Sequence, residues 1–171
     1  KQDLLENQAK HSYLAVGSNL GNKLENIQKT KFELQKNKIK IIKSSSNFET
    51  ESWPNTSYPK YINIVLKIKT NFTPLELLKT CNLIEKKLGR KRSTKNAPRS
   101  CDIDIIDYKQ KIINLIEDDL ILPHPRMCKR NFVLLPLFEI NKTWNHPKSK
   151  KNIVNLINSL SIKDLRTIKQ I

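Results

Sequence analysis

The chain is short of several things at once. Of its 171 residues only three are glycine, three are cysteine and 6% are aromatic, and 16 acidic residues stand against 32 basic ones. Gly17, Gly21 and Gly89 are the whole glycine supply, so neither the G-x-G-x-x-G fingerprint nor the G-x-x-x-x-G-K-[ST] phosphate loop occurs. Cys81, Cys101 and Cys128 form no C-x-x-C pair. That and their odd number speak against a disulfide framework and fit reduced thiols in the cytoplasm. No apolar run approaches the roughly 18–20 residues of a membrane span, and Lys1–Lys10 lacks the apolar core of a signal peptide. Neither a membrane protein nor an exported one is expected. A chain of this length buries roughly two-thirds of its unfolded surface and needs no metal or disulfide to fold.

What the chain has in excess is positive charge, a formal +16 with a sequence pI near 9.8. Such a balance ordinarily points to nucleic acid. Lysine, however, supplies 26 of the 32 basic residues and arginine only six. A diffuse lysine coat is often a solvated surface, whereas bidentate grip on phosphate favours arginine, so the arginines are the more informative residues.

Tyr13–Val16 reads as a strand stopped by Gly17-Ser18-Asn19, and Leu20, Leu24, Ile27 and Leu34 recur at helical spacing, which predicts a helix over 22–35. A second strand is expected over Ile39–Phe48. In 61–69, Ile62, Ile64, Leu66 and Ile68 alternate with Tyr61, Asn63, Val65 and Lys67, the period of a strand. Thr73-Pro74-Leu75-Glu76 predicts a helix start with a capping box, followed by a buried stripe of Leu77, Leu78, Cys81, Ile84 and Leu88 and a stop at Gly89. Cys101–Ile106 is a further strand, Lys111–Ile116 a candidate hairpin strand, and 132–140 and 152–160 further helices. The fold class expected is α+β: a ferredoxin-like β-α-β-β-α-β core, an antiparallel sheet with helices packed on it, and extra C-terminal helices. One catalytic domain is expected over 1–171, with 1–10 an N-terminal extension and 141–171 a C-terminal tail of no assigned role.

The residues that carry chemistry concentrate around Pro98-Arg99-Ser100-Cys101-Asp102-Ile103-Asp104. Strand residues two apart share a face, so Asp102 and Asp104 project together, repel each other and call for a compensating cation. Magnesium suits such a pair, because it takes hard oxygen ligands and shares them with nucleotide phosphates. Half of the arginines lie in the loop leading into this pair, among Arg90, Lys91, Arg92, Lys95 and Arg99. Cations beside a metal-binding acid pair are what phosphoryl transfer requires, since that reaction depends on positioning and charge neutralisation. Tyr61 and Asn63 share a strand face, an aromatic plate beside an amide that suits a flat heterocycle. His124-Pro125-Arg126 and Arg130-Asn131-Phe132 add an imidazole, two cations and a ring. With His11 and His146 remote in sequence, a zinc site is not expected.

Gly17-Ser18-Asn19-Leu20-Gly21, Tyr61-Ile62-Asn63, Gly89-Arg90-Lys91-Arg92, Ala97-Pro98-Arg99 with Asp102-Ile103-Asp104, and Pro123-His124-Pro125-Arg126 with Arg130-Asn131-Phe132-Val133-Leu134 follow one another in a single order. In this the chain resembles the 6-hydroxymethyl-7,8-dihydropterin pyrophosphokinase family of folate biosynthesis over about 13–140. The resemblance implies a ferredoxin-like fold and transfer of pyrophosphate from ATP to the pterin, releasing AMP. It implies two Mg²⁺ ions on Asp102 and Asp104, and catalytic roles for both carboxylates with Arg92 and Arg99. ATP would be contacted by Asn82, Glu85, Arg92, Arg99, Ile105, His124 and Arg130. The pterin would be held by Tyr61 and Phe132 as stacking rings, with Asn63, Thr50 and Asp102 beside them. The sequence departs from the family pattern at Asn96, where many members carry an aromatic residue, and at Asp119 and Ile121, where some place Arg and Thr.

Two other readings stand beside this one. A ferredoxin-like RNA-binding module would use the positive charge, but an Ile-Asp-Ile-Asp strand repels a polyanion and the few aromatics make a poor stacking platform. A Mg²⁺-dependent phosphoryl or nucleotidyl transferase with another acceptor is compatible with the acid pair and the basic loop, and only the Tyr61-Asn63-Phe132 set favours a pterin. The expected partners are small molecules, with no nucleic acid, no membrane and a monomeric cytoplasmic chain.

Overall fold

The computed structural model describes residues 11–90 and 97–171. In chain order the elements are β1 (Ser12–Ser18), α1 (Lys23–Lys36), β2 (Lys40–Ser44), β3 (Phe48–Thr50), β4 (Tyr61–Lys69), α2 (Pro74–Lys87), β5 (Asp102–Tyr108), β6 (Ile113–Leu115), β7 (Leu120–Leu122), α3 (Asn131–Ile140), α4 (Ile153–Asn158), α5 (Ile162–Arg166) and β8 (Ile168–Gln170). The main sheet runs β5-β1-β4-β3-β8 with β2 also on β4, and its pairings are antiparallel. The α+β class with an antiparallel sheet is as the sequence predicts.

Local signals act where expected. Thr73 and Glu76 close the capping box of α2, with Thr73 N donating to Glu76 Oε2 at 2.7 Å and Glu76 N to Thr73 Oγ1 at 3.3 Å. Gly89 ends that helix at φ +84°, a conformation that L side chains rarely adopt. The apolar stripes are narrower than predicted. Leu20 and Leu24 are about half exposed, and α1 buries Ile27, Thr30, Glu33 and Leu34 instead. On α2, Leu78 and Leu88 are only partly buried, while Glu85 is buried.

The single strand expected over 39–48 is two strands. Ser45 and Ser46 interrupt it because Glu139 of α3 accepts from Ser46 N at 3.1 Å and Ser46 Oγ at 2.8 Å, while Ser45 Oγ takes the N–H of Val65 at 2.9 Å. The segment 111–116 gives β6, which pairs with β7 in a separate two-stranded sheet.

Alternation along the strands divides the core. Leu14, Val16, Ile62, Ile64, Leu66, Ile68, Ile103 and Ile105 face α1 and α2. Tyr13, Val65 and Ile106 face the other way and are covered by Val133, Leu134 and Leu137 of α3, with Trp144 and Ile153 behind them. Burial of such side chains is the main driving force of folding, at roughly 1.5–3 kcal/mol each. The register between β1 and β5 shifts between Tyr13 and Leu14, leaving Ile106 as an extra residue. Ile106 and Asp107 therefore both turn toward α3 and α4, and the Ile106 carbonyl accepts from His124 N at 2.9 Å.

Candidate active site

One row of residues crosses three strands in register, Asn63 of β4, Gly17 of β1 and Asp102 of β5. One step along β1, Ala15 lies between Val65 and Asp104. Beyond Tyr13, which α3 covers, the middle strand thus presents Gly17 and Ala15 on this face, between walls that stand about 10 Å apart at the strand spacing. Gly17 has a specific reason to be glycine: a Cβ there would sit 3.0 Å from Asn63 Oδ1 and 3.5 Å from Tyr61 Cδ1. The result is a trough with an apolar floor, open at the end that α3 leaves uncovered.

The β4 wall carries Tyr61, half-buried, and Asn63, whose Nδ2 donates to Thr50 Oγ1 of β3 at 2.9 Å. That bond uses one of the two amide N–H donors and sets the orientation that leaves Asn63 Oδ1 over Gly17. Burial pushes the Tyr61 phenol above its ordinary range, opposed by the Arg99 guanidinium, which also hydrogen-bonds it. Phe132, at the start of α3, is half-buried, and the Arg130 guanidinium lies 5.4 Å from its ring centroid.

On the β5 wall each carboxylate has its own cations. Asp102 Oδ1 meets Arg90 Nη1 at 2.7 Å and Arg99 Nη1 at 3.3 Å. Asp104 Oδ2 meets Arg130 Nη1 at 2.6 Å and His124 Nε2 at 3.7 Å. Burial lowers the His124 pKa, with Asp104 opposing and Arg130 and Arg126 assisting. The ring is therefore neutral near pH 7, and because its Nδ1 accepts from Arg126 N at 3.1 Å, the proton sits on Nε2, toward Asp104. Glu85 of α2 spans the free edge of β5: it accepts from Ile103 N at 2.7 Å and pairs with Arg90. Burial raises its pKa, while the Ile103 N–H and Arg90 hold it down. Burial also depresses the Arg90 pKa, but Asp102 and Glu85 outweigh it and the net shift is upward.

The predicted residues Asp102, Asp104, Arg99, Tyr61, Asn63, Thr50, Phe132, His124 and Arg130 are thus gathered around one trough. Glu85 borders it from the β5 edge, and Asn82 lines an adjacent cleft of about 610 Å³ with Lys79, Leu83, Glu85, Lys86 and Arg90. Ile105 is not among them: its side chain is 4% exposed and packs in the α1/α2 core. Arg92 and Asn96 lie outside the described residues. Asp119 adopts φ 51° just before β7, and Ile121 on that strand is exposed. Among the described residues no three His, Cys, Asp or Glu side chains gather as a metal cage. The Asp102–Asp104 pair does supply the hard oxygen donors magnesium takes when phosphates complete its shell.

Two contributors escaped the sequence reading. Arg90, one residue past the helix-ending glycine, joins Glu85 to Asp102. Its signals were its place in the basic loop and in the Gly89-Arg90-Lys91-Arg92 segment, neither of which named a partner. Asn19, 1% exposed, anchors Arg99, accepting from Arg99 N at 2.8 Å through Oδ1 and donating its own N–H to Arg99 O at 3.0 Å. Its Nδ2 reaches Ser52 Oγ at 3.1 Å and Pro59 O at 3.2 Å, tying β1, the β3–β4 loop and the arginine segment together.

Comparison with known proteins identifies relatives of this chain. The 2-amino-4-hydroxy-6-hydroxymethyldihydropteridine pyrophosphokinase of Aquifex aeolicus is 38% identical over 139 residues, 81% of this chain and 85% of its own length. The folic acid synthesis protein fol1 of Pneumocystis carinii is 35% identical over 91% of this chain, which spans only 21% of that longer protein. Among solved structures, a Plasmodium falciparum HPPK-DHPS with pterin and p-hydroxybenzoate has the same fold, at a TM-score of 0.70 and 16% identity, over 94% of this chain and 47% of that one. The family model for 7,8-dihydro-6-hydroxymethylpterin-pyrophosphokinase (HPPK) matches residues 13–142, the stretch that builds both walls of the trough, and the chain belongs to that family.

Proposed function

We propose that this chain transfers pyrophosphate from ATP to 6-hydroxymethyl-7,8-dihydropterin and releases AMP, a step of folate biosynthesis. The observation that carries this reading is the trough itself, with ring-binding groups on one wall and carboxylates with arginines on the other, across a floor of Gly17 and Ala15. A flat pterin would lie between Tyr61 and Phe132 with its polar edge toward Asn63. Its hydroxymethyl group would then point at Asp102. The hydroxymethyl oxygen forms a bond to the β-phosphorus, the bond from that phosphorus to the oxygen bridging the α-phosphate breaks, and AMP leaves with the electron pair.

Asp102 and Asp104 would hold two Mg²⁺ ions, which neutralise phosphate charge when bound. The chain's own groups orient the reactants. Arg90, Arg99 and Arg130 face the phosphates, releasing carboxylates they now neutralise, and Arg92 is assigned the same role by the family pattern. Asp102 orients the hydroxyl and accepts its proton, and neutral His124 donates a hydrogen bond from Nε2. Positioning and charge neutralisation are the main requirements of phosphoryl transfer.

The core order β5-β1-β4-β2/β3 supports a ferredoxin-like assignment, and we expect one catalytic domain acting as a monomer in the cytoplasm. Two acids on the open sheet face argue against RNA as a partner. No helix among the described residues is long and apolar enough to cross a membrane. The test is product analysis with ATP, Mg²⁺ and the reduced pterin. Pterin-dependent AMP, lost in Asp102→Asn and Asp104→Asn, is the expected result; ADP would mean ordinary kinase chemistry and a wrong acceptor.

A further inference from the structure

The family match stops at residue 142, yet the chain beyond it is fastened to the pterin side of the trough. β8 pairs with β3 in the register Phe48↔Gln170, Glu49↔Lys169 and Thr50↔Ile168, and Ile171 N donates to Asn47 O at 3.0 Å. Cross-strand partners share a face, so Ile168 continues the row of Thr50 and Tyr61, and Gln170 continues the row of Phe48, Asn63, Gly17 and Asp102. Without β8, the three residues of β3 would be a short sheet edge held only by β4.

The second attachment is one side chain. Asn131, buried beneath the start of α3, donates from Nδ2 to Asp164 O at 2.5 Å and to Thr167 Oγ1 at 3.2 Å. Its Oδ1 accepts from Phe132 N at 2.7 Å. A single amide therefore couples the segment Ser161–Thr167 to the backbone of the residue whose ring would cover the pterin. That segment is itself held by a capping box, Ser161 with Asp164, and by Thr167 Oγ1 donating to Asp164 O at 2.9 Å. Neither attachment touches Arg90, Arg99 or the cleft on α2.

We propose that residues 161–171 are a strap that positions Thr50 and Phe132, with Asn131 as its positioning residue, so that the tail sets pterin affinity while leaving the nucleotide side alone. This rests on the pyrophosphokinase reading for the identity of the ligand, though not for the strap itself. In Asn131→Asp the oxygen that receives the Phe132 N–H survives, but the two donors to the strap are lost and a charge faces Asp164 O. Thr167→Val removes two hydrogen bonds on the strap side, the one received from Asn131 Nδ2 and the one given to Asp164 O, and replaces no residue of the trough.

The experiment compares both variants with the full wild-type chain in steady-state kinetics with ATP and reduced pterin, and in amide hydrogen exchange without substrates. Exchange at 48–50 and at 132 should quicken in both. The pterin KM should rise roughly fivefold in Asn131→Asp, the equivalent of one hydrogen bond of about 1 kcal/mol, and about twofold in Thr167→Val, with the ATP KM unchanged within about twofold. Pterin and ATP constants rising together would overturn the assignment, as would no change in either. Should the wild type form no pterin-dependent AMP, the pyrophosphokinase reading fails; unchanged exchange at 48–50 and 132 overturns the strap whatever the substrate.

Discussion

Asp107 offers the sharpest test of the energetics. It is fully buried on β5, three residues beyond Asp104, and the register shift at Ile106 turns it inward. Its Oδ2 accepts from Trp144 Nε1 at 2.8 Å and Gln110 Nε2 at 2.5 Å, and its Oδ1 from Gln110 N at 2.9 Å. Burial nonetheless dominates these three bonds and raises the carboxyl from 3.8 to about 6. Because the folded-state pKa lies above the unfolded one, the native state holds its proton more tightly. Stability from this group is fully present below the ordinary value of 3.8 and is lost as pH rises through about 6. At about 1.4 kcal/mol for each tenfold change in proton affinity, the loss is about 3 kcal/mol.

In Asp107→Asn that pH dependence disappears. The amide oxygen can replace Oδ2, but its nitrogen then confronts the Gln110 N–H, so a constant offset of about 1–3 kcal/mol for an unmet donor is expected. Glu85, His124 and His146 also have shifted pKa values, so the informative quantity is the difference between wild type and variant. Tyr13 beside Asp107, pushed up to about 12 by burial, stays protonated throughout. Urea unfolding at intervals between pH 4 and 7.5 should show wild type losing about 3 kcal/mol relative to the variant, or roughly 6–12 °C in Tm for a domain of this size. A difference that stays constant with pH would refute the argument that burial outweighs the three donors.

Two further outcomes follow from the trough. Gly17→Ala places a methyl 3.0 Å from Asn63 Oδ1, so Asn63 must move; pterin KM should rise about tenfold while urea stability changes by less than about 1 kcal/mol. Asn19→Ala strips the Arg99 N–H of its acceptor and should lower stability by about 1–3 kcal/mol by chemical denaturation, with a fall in kcat as Arg99 loses its aim.

Much of the frame was legible because its causes are local. The period-two pattern of 61–69, the Thr73–Glu76 box and Gly89 act within a few residues, and each appears where it was read. The acid pair was legible for the same reason, since Asp102 and Asp104 share a face of any strand they occupy. The break between β2 and β3 was not, because the carboxylate that causes it belongs to Glu139, 93 residues from Ser46. Nor was the absence of Ile105 from the trough, since the family pattern names a residue without saying which layer its side chain enters.

The sequence by itself determined the β-α-β-β-α-β order of the core, the caps of α2, the facing carboxylates and the motifs that mark the family, all of them set by short-range sterics, side-chain period or residue identity. Tertiary structure alone decided that Arg90 joins Glu85 to Asp102, that Asn19 anchors Arg99, and that the tail adds a strand beside Thr50. Those pairings depend on which strands lie side by side. That order follows from burying two different sets of apolar side chains on opposite faces of one sheet, and no local stretch of the chain contains it.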